Sequence, residues 1–263
     1  MQTTLFEPGQ PREPGVRDRL DSNTVARLDG VTGFADVREA LTALRATYPD
    51  ARLLCTYDDP DQCAYTSMHA TLVLEQAAEQ AEDYDFDDPV AVHRAENATL
   101  AHIAALLDAP DRRVDWPSLA GSRAATDADL DDLVRLNSSP DKALDATVLV
   151  QRVPVERDDL ALAGIPNGYF ADDWNIFTNH AVVRRMAGHG YRHLAIGAAL
   201  LAFDRPTAPS AAEAAAVVSD LVHLYGLPDA IAWHELAVLL PARDMLVLGY
   251  AEDFGSALDL EQP

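Results

Sequence analysis

The sequence predicts an α+β (or α/β) protein, with helices packed on a mixed β-sheet in a two-layer or three-layer sandwich. Three observations predict it. Stretches with a helical spacing of apolar residues alternate with short apolar runs of strand length. The C-terminal part is the most regular and reads helix, strand, helix, helix, strand. Hydrophobic residues make up 48% of the 263, enough to bury a sizeable core.

Each element follows from local signals. Residues 1–15 hold three prolines and two glycines without periodicity and predict an irregular lead-in. Residues 16–145 read as a helix-rich N-terminal part and residues 146–263 as a C-terminal α/β unit, the two forming one composite globular domain. Asp36 to Tyr48 places Val37, Leu41, Leu44 and Tyr48 on one helical face, and Pro49 stops it. "ARLLCTY" then reads as a buried strand. Met68 to Ala81 and Pro89 to Leu107 are helices, separated by the acidic stretch "EDYDFDDP". Asp108 to Ser122, with Pro110, Pro117 and Gly121, predicts a connecting loop. Thr126 caps a short helix ending near Asn137, and Ala146 to Val155 is a strand.

Further on, Thr178 or Asn179 is expected to cap a helix to Ala187, ended by Gly188-His189-Gly190. His193 to Phe203 is a continuous apolar run that reads as one strand buried on both faces. Ser210, with Glu213 three residues later, forms a capping box for a helix to Tyr225. A short helix over Ile231 to Leu240 and a strand over Met245 to Tyr250 complete the chain. An aromatic-Asp-Asp-Pro unit occurs at Tyr57 to Pro60 and at Phe86 to Pro89, but no solenoid repeat is present.

Charge narrows the function. Asp and Glu number 43 and Lys and Arg 20, a formal net charge of −23. Lys142 is the only lysine; the other cations are arginines. Such a chain repels itself in dilute buffer. In molar salt the Debye length falls to about 3 Å and the repulsion is screened. The combination reads as an acidic, halophilic surface suited to a salt-filled cytoplasm, or else as an acidic chain in which GC-rich codons replaced Lys with Arg. It argues against nucleic acid and anionic membrane surfaces as partners. No secretory signal and no apolar run of spanning length is present, so a cytoplasmic location is expected. Cys55 and Cys63 are too few for a disulfide framework and read as one buried thiol and one loop thiol. A homodimer remains open.

Most catalytic and metal motifs fail on inspection. His234-Glu235 lacks a second histidine, since Val238 stands at the required position. His189 and His193 are four apart, but Gly188 and Gly190 break the helix that would align them, and His180 is no closer. Asp83, Asp85, Asp87 and Asp88 would offer oxygen ligands, yet a calcium loop starting at Asp83 would place Asp88 and Arg94 where Gly and Glu are needed. No nucleophile elbow and no phosphate-cradling glycine loop occurs. No metal and no cofactor is expected.

The densest chemistry lies in "GYFADDWNIFTNHAVVRRM", Gly168 to Met186. Asp172, Asp173, Trp174, Asn175, His180 and Arg184 put hydrogen-bonding groups beside an aromatic platform at a helix N-terminus. Tyr169, Phe170, Trp174 and Phe177 can equally cover the edge of the core. Three functions remain open. The first is a non-catalytic binding or accessory protein with a polar pocket around Trp174 and Asn175. The second is a small hydrolase or transferase in which Asp172 or Asp173 pairs with His180. The third is a protein-interaction module with an exposed apolar patch.

From about Phe170 to Asp253 the chain resembles an uncharacterised bacterial family, domain of unknown function 4253. The residues that carry the likeness are "DDWN" at Asp172 to Asn175, "NHAVVRRMAGHGYRHLAIGAALLAF", "DRPTAPSAAEAAAVV", "LPD" at Leu227 to Asp229 and "MLVLGYAED". Where the family has Gly-Gly before its Trp-Asn, this chain has Asp172-Asp173; where it has Cys-Pro-Asp, Leu227 replaces the cysteine. Its closing strand also lacks most of the family's aromatics. The resemblance implies the element order above, marks Trp174, Asn175 and Asp229, and brings no activity with it.

Overall fold

A computed structural model describes residues 1–11, 18–76, 85 and 87–258. Seven strands form one mixed sheet: β1 (Gln2–Leu5), β2 (Thr24–Asp29), β3 (Arg52–Thr56), β4 (Thr147–Val153), β5 (Arg192–Ile196), β6 (Leu200–Asp204) and β7 (Met245–Gly249). Their spatial order is β1-β2-β4-β3-β5-β6-β7. Every neighbouring pair is antiparallel except β3 and β5, which run parallel with Cys55 opposite Ala195 and Thr56 opposite Ile196. The sheet thus joins two antiparallel halves through one parallel pair at its centre. β4, which lies beyond residue 146, sits between β2 and β3, so the sheet is continuous across that boundary.

The helices are α1 (Phe34–Thr47), α2 (Pro60–Gln76), α3 (Pro89–Asp108), α4 (Asp127–Ser138), α5 (Ile176–Gly188), α6 (Ala211–Tyr225) and α7 (Ile231–Leu239). Consecutive residues of β6 and β7 are all buried, so both faces of the sheet are covered there. α4, α6 and α7 pack on one another, while α3 and α5 both pack on the 158–164 turn. Asp88 caps α3, and capping boxes at Thr126–Asp129 and Ser210–Glu213 start α4 and α6. β7 ends the sheet, yet its edge is not bare. The buried side chain of Asn137 on α4 accepts from Val247 N at 2.9 Å and donates to Val247 O at 2.9 Å, standing in for a neighbouring strand. No helix of the described residues is long and apolar enough to cross a membrane.

The structure corrects five local expectations. Residues 2–5 of the expected lead-in form β1, paired on β2, a second strand that the periodicity missed; residues 12–15 lie outside the described residues. α2 begins at Pro60, eight residues before the expected start, so Cys63 is a buried helix residue and not a loop thiol. The Met68–Ala81 expectation extends past Gln76 into residues outside those described. Asn175, and not Thr178 or Asn179, caps α5: its side-chain oxygen accepts from the amides of Phe177 and Thr178, both at 3.0 Å. The apolar run from His193 to Phe203 is a hairpin of β5 and β6, not one strand.

The hairpin has a steric cause. Gly197 donates its N–H to Leu200 O at 2.9 Å and turns the chain back. A Cβ at this position would lie 1.7 Å from Asp58 Oδ1, so only glycine admits the buried aspartate beneath the turn. Hydropathy sees an unbroken apolar run because even the turn residues, Ala198 and Ala199, are apolar and partly buried.

Candidate functional site: an arginine-lined cleft

In open sheets the usual place for a ligand is the carboxyl end of the parallel strands. Here that end is filled. Asp58, just past β3, accepts from Ala199 N at 2.9 Å, just past β5. Asn167 donates to Gly197 O at 2.7 Å and to Cys63 Sγ at 3.2 Å, and accepts from Thr66 Oγ1 at 2.7 Å. Tyr250 donates to Gly197 O at 2.7 Å. All these side chains are buried. Burial raises the Asp58 carboxyl to about 7, against the backbone amide of Ala199, which favours its charged form. Burial also pushes the Cys63 thiol up strongly and the Cys55 thiol up to about 12, so neither is a nucleophile at neutral pH.

The amino end of the same pair is open. Arg52 and Arg192 are the first residues of β3 and β5, and the last turn of α1 brings Arg45 and, just beyond, Tyr48 to the same place. Together with His193 and Asp158 they line a cleft of about 250 Å³. Such a volume suits a compact group more than a large cofactor. Arg192 is held by Asp204, its register partner on β6, through contacts of 3.1 and 2.9 Å. Arg52 is held by the Asp158 carboxylate and the Glu156 carbonyl.

Two groups of this cleft have no side-chain partner among the described residues. Among the described residues no carboxylate lies within ion-pair distance of Arg45. Burial lowers the pKa of its guanidinium, and the nearby charge of Arg192 lowers it further. His193 is 5% exposed, and its ring meets the backbone of Ala195 but no polar side chain among the described residues. Burial pushes its imidazole down to about 3, so it is neutral at ordinary pH. Arg45 is half-buried and still meets solvent, whereas His193 is buried, and both lie in the lining of one cavity.

A second cleft of about 510 Å³ adjoins the first and shares Arg52 and Asp158 with it. Its lining adds Arg113, Arg157, Arg184, Glu156 and Asp159. Arg157 reaches Asp159 at 3.0 and 2.8 Å and Asp108 at 2.7 Å. His180 Nε2 contacts Asp159 Oδ2 at 2.9 Å. Burial pushes the Asp159 carboxyl up, but the hydrogen bonds from His180 and Arg157 overcome it and hold the group well below the usual carboxylate range. Asp159 is therefore a fixed anion that orients both neighbours.

The six residues singled out in the sequence divide between two places. Trp174 is 3% exposed and packs on Tyr225 at 5.5 Å, with its amide donating to Tyr250 O at 2.9 Å. Asn175 is the cap of α5. Asp172 is exposed and its carbonyl accepts from Arg123 at 2.8 Å. Burial raises the carboxyl of Asp173, opposed by the backbone amides of Phe170 and Glu252. The expected pairing of Asp172 or Asp173 with His180 is not what the fold makes: the partner of His180 is Asp159, from a turn that packs under α5. Arg184, one turn after His180, lines the second cleft.

Gly168 explains why the 168–175 loop is tight. It sits at φ +96°, where a Cβ would meet Trp174 O at 2.1 Å. Of the four aromatics, Trp174 is buried and Phe177 packs against the core, but Tyr169 and Phe170 are exposed. Tyr169 stacks on His69 of α2 at 5.0 Å instead of covering the core edge. Asp229 is exposed in the turn before α7.

The other histidines and acids serve separate ends. His189 contacts Asp220 at 2.6 Å. Asp83 lies outside the described residues, while Asp85 and Asp88 accept backbone N–H groups. No cluster of three or more metal-binding side chains occurs among the described residues. Sequence reading missed Arg45, Arg52 and Arg192, and weighed His193 only as a metal ligand beside His189. The usable signal was that Arg52 and Arg192 each open an apolar strand, but only the parallel pairing of those strands brings them together.

Comparison with family models, with curated proteins and with solved structures finds no match to this chain.

Proposed function

We propose that this chain is a non-catalytic binding protein, and that its ligand is a small molecule bearing an oxyanion, held in the cleft at the amino ends of β3 and β5. One observation carries the reading: a guanidinium without a carboxylate, Arg45, and a buried imidazole without a side-chain partner, His193, line the same cavity. An oxyanion satisfies the first through its fork of N–H donors and the second through either an acceptor or a hydroxyl. We place the site here and not around Trp174 and Asn175, because those two side chains serve the core and the start of α5.

The wider context belongs to the same proposal. The net charge of −23 is read as an acidic surface adapted to a salt-filled cytoplasm, without nucleic acid or anionic membranes as partners.

Calorimetric titration with inorganic phosphate in 2 M KCl tests the site. One phosphate per chain is expected. A charge-assisted hydrogen bond contributes about 1.5–3 kcal/mol, so Arg45→Gln should weaken binding about 10- to 100-fold. The far-ultraviolet dichroism of the variant should match that of the parent. Absence of phosphate binding, or binding indifferent to Arg45→Gln, overturns the reading.

A further inference from the structure

We propose that two copies of this chain associate through the exposed face of α2, with Tyr169 and Phe170 at the edge of the contact. The proposal is independent of the arginine-lined cleft. Its basis is where apolar surface is left open. Twelve large apolar residues are exposed among the described residues, and six of them meet here: Tyr65, Met68, Leu72 and Val73 on α2, and Tyr169 and Phe170 beside it. A run of ring contacts fixes their placement. Tyr65 packs on His69 at 4.4 Å, His69 on Tyr169 at 5.0 Å and Tyr169 on Phe170 at 5.4 Å. Along α2, Tyr65, Met68 and Leu72 recur at steps of three and four and share one side of the helix, while Cys63, Thr66 and Ala70 are buried on the other.

Area and charge both point to a second copy. Each of the six side chains is 40–56% exposed. At about 200 Å² for a large side chain, about half of it open, the six expose about 600 Å². That is the top of the range for the largest patch on a monomer, and most of the ~800 Å² that each partner gives a standard interface. Any partner must also approach a chain of formal charge −23. Gln62 to Leu74 is a run of thirteen residues without Asp, Glu, Lys or Arg, in a chain of which 24% is charged. A basic partner protein finds no carboxylate to pair with along that run, whereas a second copy brings a matching uncharged surface. A two-fold axis near Met68 and His69 sets the helices antiparallel. Tyr65 of one copy then lies against Leu72 of the other, and the reverse, the self-complementary pattern of a closed dimer. The two Asp61 carboxylates fall at opposite ends of the contact, about 20 Å apart along the helices at a rise of about 1.5 Å per residue. Asp172 is exposed at the rim, next to Phe170.

Sedimentation equilibrium in 2 M KCl tests the proposal. At tens of micromolar chain the mass should be twice the 28.5 kDa of one chain. Leu72→Glu and Met68→Glu each bury a carboxylate in the apolar contact twice per dimer and should raise the dissociation constant about 100-fold or more. Both sites are about half exposed in one chain, so the far-ultraviolet dichroism of the variants should match the parent's. Val238→Glu adds the same charge at another exposed valine, on α7, and should leave the dissociation constant within about threefold of the parent's in this salt.

The mass of a single chain at tens of micromolar overturns the proposal. A dimer that both Leu72→Glu and Met68→Glu leave intact overturns it as well, because its interface then lies elsewhere. Equal weakening by Val238→Glu does the same, because added charge alone then accounts for the loss.

Discussion

Asp58→Asn isolates the electrostatic cost of filling the carboxyl end of β3 and β5. The ordinary carboxyl value of 3.8 is raised to about 7 by burial. The sign follows from proton counting. Between about pH 4 and pH 7 the unfolded chain has released this proton and the folded chain still holds it, so folding loses stability as pH rises through that window. Each unit contributes about 1.4 kcal/mol, and about three units give about 4 kcal/mol. Asparagine keeps an oxygen to accept from Ala199 N and cannot ionise. The two chains should therefore differ least near pH 4, with the variant gaining about 4 kcal/mol on the parent by pH 7–8. Urea unfolding of both at fixed 2 M KCl and half-unit pH steps reads the difference. All other titrating groups are common to both chains and cancel, including His193, whose lowered imidazole value removes stability as pH falls below its ordinary 6.5. A difference flat to within about 1 kcal/mol from pH 4 to pH 7 would refute the argument that desolvation governs Asp58.

Two further outcomes test the frame around the cleft. Asn175→Ala removes a side-chain acceptor for two backbone amides at the start of α5 and should cost about 1 kcal/mol in urea unfolding, whereas Thr178→Ala should cost little; equal costs would return the cap to Thr178. If the charge of −23 is an adaptation to brine, the urea midpoint should climb steadily from 0.1 to 2 M KCl as self-repulsion is screened. A midpoint unchanged across that range would leave GC-rich codon usage as the better account of the arginine excess.

The legible part of the fold was the part whose signals are local. The cap at Thr126, the capping box at Ser210, the α1 stripe of Val37, Leu41 and Leu44, and the strand over Arg52–Thr56 follow from side chains a turn or a pleat apart. What failed depended on distant partners. β1 and β2 are short, and only their pairing makes them strands. The β5–β6 turn is dictated by Asp58 pressing on Gly197, about 140 positions earlier in the chain, and no window of sequence contains both. The site divided in the same way. His180 and Arg184 share a helical face and were legible, but the carboxylate that meets His180 comes from the 158–164 turn, and Arg45, Arg52 and Arg192 come from three separate elements.

Net charge says little about any one site, and the reason is range. At an effective dielectric of about 20, two unit charges about 4 Å apart interact by about 4 kcal/mol. In molar salt, with a Debye length of about 3 Å, a carboxylate about 20 Å away contributes almost nothing. The field inside a cleft is then set by its own lining, and here that lining is positive although the chain is not. A distributed acidic coat and an anion-binding cleft are therefore compatible in brine, where each guanidinium acts only on what touches it. The same reasoning fixes how affinity should respond to salt. If an anion binds at Arg45 as proposed, added KCl competes with it there, which weakens binding, and also screens the repulsion between the anion and the rest of the chain, which strengthens binding. The two effects oppose each other, so phosphate affinity should change far less between 0.3 and 2 M KCl than it would for an anion site on a neutral protein.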